Sequence, residues 1–188
     1  MARTPSTMQN LGTPMPGFRL ADHDANWCSS EDFKNTPVLV MFICNHCPFV
    51  VHVLDQLASL GRDYGGSIGM VAINSNDITT HPDDRPEKMA ELAADNGFAF
   101  PYVFDETQEV ARSFDAACTP DFFLYDRDHR LVYRGQLDDS RPDSGIPVTG
   151  KDLRAAIEAL VAGEAVPQDQ KPSLGCNIKW KQPAAAGE

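Results

Sequence analysis

From Val38 to Ile43 the chain reads Val-Leu-Val-Met-Phe-Ile, an unbroken apolar run with no polar position to alternate against. Such a run predicts a strand covered on both faces of a sheet. Just beyond it, apolar residues recur at 50, 53, 54, 57 and 60, which is the spacing of one helix face. This predicts one helix from Pro48 to Leu60, opened by a proline whose missing N–H has no partner to lose in the first turn. Tyr64-Gly65-Gly66 stops it. Ile68 to Asn74 predicts a second buried strand, and Arg85 or Pro86 to Asp95 a second helix with Met89, Leu92 and Ala93 inward and Gly97 as its stop.

Shorter elements flank this centre. Phe18-Arg19-Leu20 alternates like a short strand after the turn Pro14 to Gly17, and residues 29–33 suit a capped turn. Phe98 to Phe104 is a short apolar segment, and Glu106 to Ala116 predicts a third helix. Phe122 to Tyr125 and Leu131 to Arg134 predict an antiparallel pair joined by the turn 126–129. Asp152 to Ala162 closes with a helix on Leu153, Ile157, Leu160 and Val161. The expected class is α/β: a central mixed β-sheet flanked by helices, with an N-terminal β-hairpin extension. Residues 1–13 are expected as a flexible tail, 14–162 as the domain, and 163–188 as a C-terminal extension.

Composition narrows the partners. The formal charge is −11, from 27 acidic against 16 basic residues. A negative field of that size opposes nucleic acid and anionic lipid, so neither is an expected partner. No apolar run nears the roughly 18 residues of a membrane span, and the polar first residues lack a leader's apolar core. A cytoplasmic location is the expectation. Five cysteines, at 28, 44, 47, 118 and 176, are too scattered for a disulfide scaffold. At close spacing in a reducing compartment they point to redox catalysis or metal.

Cys44-Asn45-His46-Cys47 sits where the first strand meets its helix. A cysteine pair two apart can bridge there, and the free N–H groups and positive end of a helix stabilise a thiolate. Cys44 is the expected nucleophile, His46 its charged helper, and Cys47 the resolving thiol. The same pair can be half of a zinc site, which needs two further ligands. No second CxxC or HxxxH is present, leaving His52, Cys118 and Cys176 as the available donors. Cys118 and Cys176 are possible accessory thiols, with packing as the simpler role for each. Cys28 is expected to be inert, His52 structural, and Asp121 a solvated loop carboxylate.

With these segments in hand, the chain resembles the thioredoxin-like superfamily in its peroxiredoxin-like branch, the alkyl-hydroperoxidase/redoxin group. The segments that carry the likeness are Phe42 to Pro48, Ala72 to Asp77, Thr119 to Phe123, Tyr133 to Asp139 and Gly175 to Trp180. The resemblance implies a thioredoxin fold, redox-active thiols and a cis Thr119-Pro120 bond facing them. It also has departures. Peroxiredoxins place their peroxidatic cysteine at the position of Cys47, with Thr or Ser three residues earlier and Pro seven earlier. This chain has Cys44 and Val40 there. It also lacks the Trp before, and the Gly-Pro between, the cysteines of a thioredoxin.

The leading expectation is a thiol–disulfide oxidoreductase with no bound cofactor, exchanging electrons with a protein or small-molecule thiol or disulfide. The alternatives are a hydroperoxide reductase and a non-catalytic sensor or zinc-binding module. The sequence sets no oligomeric state.

Overall fold

A computed structural model describes residues 3–182. In chain order its elements are β1 (Arg3–Pro5), β2 (Arg19–Ala21), β3 (Trp27–Ser29), β4 (Val38–Phe42), α1 (Pro48–Val51), α2 (Leu54–Tyr64) and β5 (Gly69–Asn74). There follow α3 (Pro86–Asn96), β6 (Tyr102–Phe104), α4 (Glu109–Ser113), β7 (Cys118–Thr119), β8 (Asp121–Tyr125), β9 (Leu131–Gly135), α5 (Lys151–Ala162) and β10 (Leu174–Asn177). Seven strands make one sheet in the order β3-β2-β6-β5-β4-β8-β9, and β1-β10-β7 make a second. The central β4 runs parallel to β5 and antiparallel to β8. It is therefore the mixed sheet expected, with the β2–β3 hairpin as its N-terminal extension.

The apolar run at β4 is continuous because both of its faces are covered. Leu39, Met41 and Ile43 join Phe122, Leu124, Leu57 and Ile157 in one core. Val38, Val40 and Phe42 join Phe123, Tyr125, Phe18 and Phe114 in the other. Cys44, Cys47 and Cys176 all belong to the first core. Among the described residues no helix is long and apolar enough to cross a membrane.

Several expectations need correction. The helix after the cysteines is broken: α1 ends at Val51, and Val53 has φ −113° and ψ 5° before α2 begins. Three valines within positions 50–53 lose side-chain freedom in a helix, which makes this the weak point of the run. The third helix shortens to α4, whose N-cap Gln108 is left-handed at φ 65°.

The N-terminal segment is not loose from Arg3 onward. β1 pairs with β10, with Arg3 opposite Cys176. Further along, Thr7 Oγ1 donates to the Asp115 carbonyl at 2.9 Å and Gln9 Nε2 to the Phe114 carbonyl at 2.7 Å. The physical reason is that β10 would otherwise present an unpaired edge. Residues 1–2, and residues 183–188 of the C-terminal extension, lie outside the described residues. Asp121 is not a loop carboxylate either: it is fully buried in β8, and burial pushes its carboxyl well above the usual range.

β10 lies tight on β7, with Cys176 opposite Thr119. The approach is permitted by Gly175, where a Cβ would come within 2.0 Å of the Thr119 carbonyl oxygen. That oxygen is backbone and cannot swing aside. Gly175→Ala is therefore expected to cost about 1–3 kcal/mol, as overpacking does. A thermal melt at the wild-type temperature would contradict this account of the contact.

Candidate active site

The strand β4 ends one residue before the tetrapeptide, with Ile43 N–H still donating to the Ile73 carbonyl at 3.0 Å. Cys44 thus leaves the sheet directly into the core, and Cys47 caps α1 with its carbonyl accepting from Val50 and Val51, each at 2.9 Å. Opposite them stands the Thr119-Pro120 bond, which is cis. Thr119 Oγ1 lies 3.2 Å from Cys44 Sγ, and Cys47 Sγ donates to the Thr119 carbonyl at 3.2 Å in the thiol form. Cys44, Cys47, Thr119 and Pro120 therefore meet in one place.

Charge is distributed unlike the expectation. The helix after the pair is four residues long, too short to act through a summed dipole, and its cap is Cys47. The groups that stabilise a thiolate are explicit donors gathered on Cys47. The Cys44 thiol, the Cys176 thiol, and the backbone N–H groups of Val50 and Cys176 outweigh burial and hold the Cys47 thiol below the usual cysteine range. The Cys44 thiol is pushed well above it by donating to Cys47, by burial and by the nearby Asp84 carboxylate. These directions favour Cys47 over Cys44 as the sulfur that gives up its proton.

Cys176 is the third sulfur, with Sγ 2.8 Å from Cys47 Sγ. Burial, and its hydrogen bond to Cys47, push its thiol up to about 12. Cys118 is buried in β7, and its sulfur lies 3.7 Å from the Pro120 carbonyl oxygen. Cys28 is buried in the other core, away from the pair.

His46 does not face its helper role alone. Its Nδ1 lies 2.6 Å from Asp84 Oδ2, and that hydrogen bond raises the imidazole against the effect of burial. The His81 ring stacks on it at 4.8 Å. Asp84 is fully buried and accepts from Asn45 N–H at 2.7 Å, Asn76 Nδ2 at 2.8 Å and, more weakly, His46 N–H at 3.4 Å. These bonds outweigh burial and keep the carboxyl below its usual range. Asn76 also links the site to the end of the chain, since its Oδ1 accepts from Lys179 N–H at 2.8 Å.

Asp84 and Asn76 were not singled out from the sequence as site residues. The signal present was weak: Asn74-Ser75-Asn76-Asp77 is polar at the end of a buried strand, and Asp84 follows His81-Pro82 in a turn. Cys44, His46 and Asp84 each bring a ligand-type atom within 4.8 Å of the others. His46 Nδ1 and Asp84 Oδ2 are already bonded to each other, so a cation there has to displace that contact. His52 is structural in form, with Nε2 2.7 Å from Ser140 Oγ. The neighbouring carboxylates Asp138 and Asp139 also have partners of their own. Asp138 accepts from the N–H groups of Ser140, Thr149 and Gly150, and Asp139 pairs with Lys151 and Lys171.

The AhpC/TSA family matches residues 11–134, more than half of the chain. The chain belongs to the AhpC/TSA family. Crystal structures of two proteins resemble this AhpC/TSA family member over nearly its whole length. An uncharacterized conserved protein from Geobacillus kaustophilus is 53% identical, covering 98% of this chain and 99% of that one, with a TM-score of 0.94. A hypothetical protein from Sinorhizobium meliloti 1021 is 47% identical, covering 98% and 100%, with a TM-score of 0.93. The thioredoxin domain of a thiol-disulfide oxidoreductase from Bacteroides vulgatus is 18% identical over 71% of this chain and 90% of that one, at a TM-score of 0.57. That likeness shows the thioredoxin fold. No protein with a curated description matches in sequence. Family and fold together make this a redox protein of the thioredoxin-like, redoxin group.

Proposed function

We propose that the protein is a thiol–disulfide oxidoreductase whose working couple is Cys44 and Cys47. The observation that carries this reading is the set of hydrogen-bond donors on Cys47 with a second thiol, Cys44, among them. In the reductive direction the Cys47 thiolate attacks one sulfur of a substrate disulfide, forming a mixed disulfide and releasing one substrate thiolate. Cys44 then loses its proton and attacks Cys47 Sγ. The Cys44–Cys47 disulfide forms, the second substrate sulfur leaves, and the released thiolates take up protons. Both protein sulfurs are buried, so exchange with an external disulfide follows local opening of the segments over them. A protein or small-molecule thiol of a reducing, cytoplasmic-type compartment re-reduces the pair.

This differs from the sequence expectation in the order of the two cysteines. Cys47 initiates and Cys44 resolves, because the stabilising donors converge on the second sulfur. Thr119 is a positioning residue for Cys44 through its 3.2 Å contact, and His46 a positioning residue that ties the tetrapeptide to Asp84.

The test is dithiothreitol-driven reduction of a protein disulfide followed by turbidity. Acceleration well above dithiothreitol alone is expected, and its absence overturns the proposal. A second reading, hydroperoxide reduction, is favoured by the same Cys47 thiolate, which occupies the position peroxiredoxins use. Val40 and Cys44 stand where that chemistry has proline and a hydroxyl. Stopped-flow mixing with hydrogen peroxide is therefore expected to give a rate no better than free cysteine.

A further inference from the structure

Resting on that reading, we propose that Cys176 is a third redox-active thiol, exchanging disulfide partnership with Cys44 at the shared sulfur of Cys47.

Three observations carry this. First, Cys176 Sγ is 2.8 Å from Cys47 Sγ, close to bonding range for a pair whose covalent separation is about 2.05 Å. A cysteine serving only as a small buried hydrophobe does not need another sulfur as its neighbour.

Second, the backbone of Cys176 is built into place rather than left to a free tail. It is paired on one side with Thr119 in β7 and on the other with Arg3 in β1. Gly175 allows the close approach to Thr119. Downstream, Ile178 is buried, its N–H donating to the Ala117 carbonyl at 3.1 Å. The Lys179 carbonyl accepts from Asp77 N–H and Gln108 Nε2, each at 2.8 Å. Lys181 N–H donates to Gln108 Oε1 at 2.8 Å.

Third, β10 lies along the edge of β7 beside the cysteine pair, as an added strand does when a peptide docks on a sheet edge. It brings Cys176 Sγ to 2.8 Å from Cys47 Sγ. The C-terminal strand is a tethered partner within the same chain.

The exchange balances without an outside oxidant. Starting from the Cys44–Cys47 disulfide, the Cys176 thiol loses its proton and attacks Cys47 Sγ. The Cys47–Cys176 bond forms and the Cys44–Cys47 bond breaks. Cys44 departs as a thiolate and takes a proton, so the chain holds one disulfide and one thiol at this site before and after. Cys47 is the pivot in both oxidised forms.

The two linkages are distinguishable by tryptic peptides. Cys44 and Cys47 share residues 35–62, whereas Cys176 lies in 155–179, because the Lys171-Pro172 bond resists cleavage. Full-length protein is oxidised with diamide, blocked with N-ethylmaleimide, digested and mapped by mass spectrometry. The expected result is a 35–62/155–179 cross-link in more than about a tenth of the oxidised chains. Oxidised Cys44→Ser is expected to carry it in nearly all monomers, and Cys176→Ser in none. Only a link internal to 35–62 in the wild type, with Cys47 and Cys176 both alkylated in oxidised Cys44→Ser, overturns the proposal. The wild-type map depends on no variant's folding, and far-UV circular dichroism checks the two variants. A protein that reduces disulfides normally but lacks the cross-link refutes the third thiol alone. One that shows the cross-link without accelerating disulfide reduction refutes the oxidoreductase reading instead.

Discussion

Cys47→Ser is expected to slow dithiol-driven disulfide reduction at least about 10³-fold. The substitution is close to isosteric, so packing among the buried residues changes little, and the reaction loses its attacking thiolate. A serine hydroxyl is not ionised at neutral pH, and the donors from Cys44, Cys176 and Val50 then have no anion to stabilise. Cys44→Ser keeps the attacking sulfur and loses a resolving one. With Cys176 also replaced by serine, so that no neighbouring thiol can resolve Cys47, its first turnover is expected to survive as a mixed disulfide, visible as a mass increase on the intact chain. Initial rates with a protein disulfide, backed by intact-mass measurement, separate the two roles. If Cys47→Ser keeps a tenth or more of the wild-type rate while Cys44→Ser loses it, Cys44 initiates and the assignment is reversed.

Asp84→Ala is expected to destabilise the fold by about 3–5 kcal/mol, the range for removing one partner of a buried ion pair. The carboxylate is fully buried and receives donors from His46, Asn45 and Asn76. Its loss leaves those donors without an acceptor. Urea unfolding at pH 6 measures the change, and a loss under 1 kcal/mol contradicts the role given to the carboxylate.

The pH dependence has two limbs. The His46 pKa is raised on folding, first by its hydrogen bond to Asp84. Its contribution is therefore complete below the unfolded value of about 6.5 and is lost as pH rises through the raised folded value. The Asp84 pKa is lowered, so its contribution is present above the unfolded value of about 3.9 and is lost as pH falls through the lower folded value. The stability difference between wild type and His46→Gln should then be largest between about pH 4 and 6.5. It should shrink on the alkaline side. A difference that is flat from pH 5 to 9 removes the ion pair from the account.

Much of the fold was legible because the signals were local and strong. The apolar run of β4, the helix with Gly97 at φ 64°, and the hairpin of β8 and β9 each declare themselves within a dozen residues. The tetrapeptide was legible for the same reason, and Thr119-Pro120 through the family likeness. What was not legible depended on segments far apart in the chain. The helix break at Val53 came from competition between apolar periodicity, which runs on, and β-branched side chains, which resist it.

The sequence by itself determined the α/β order, the doubly covered central strand and the presence of a cysteine pair at a strand–helix junction. Periodicity and turn chemistry act over neighbouring residues, and a single chain displays them directly. Only the tertiary structure decided which groups surround that pair. The donors on Cys47 come from Val50, from Cys176 more than a hundred residues on, and from Cys44 itself, while Asp84 pins His46 from a turn beyond the next strand. Hydrogen bonds and burial set a thiol's pKa, and both are properties of distance in space. The same reason separates Cys176 as a letter in a tail from Cys176 as a sulfur 2.8 Å from Cys47: β1 and β7 hold it there, and neither adjoins it in the sequence.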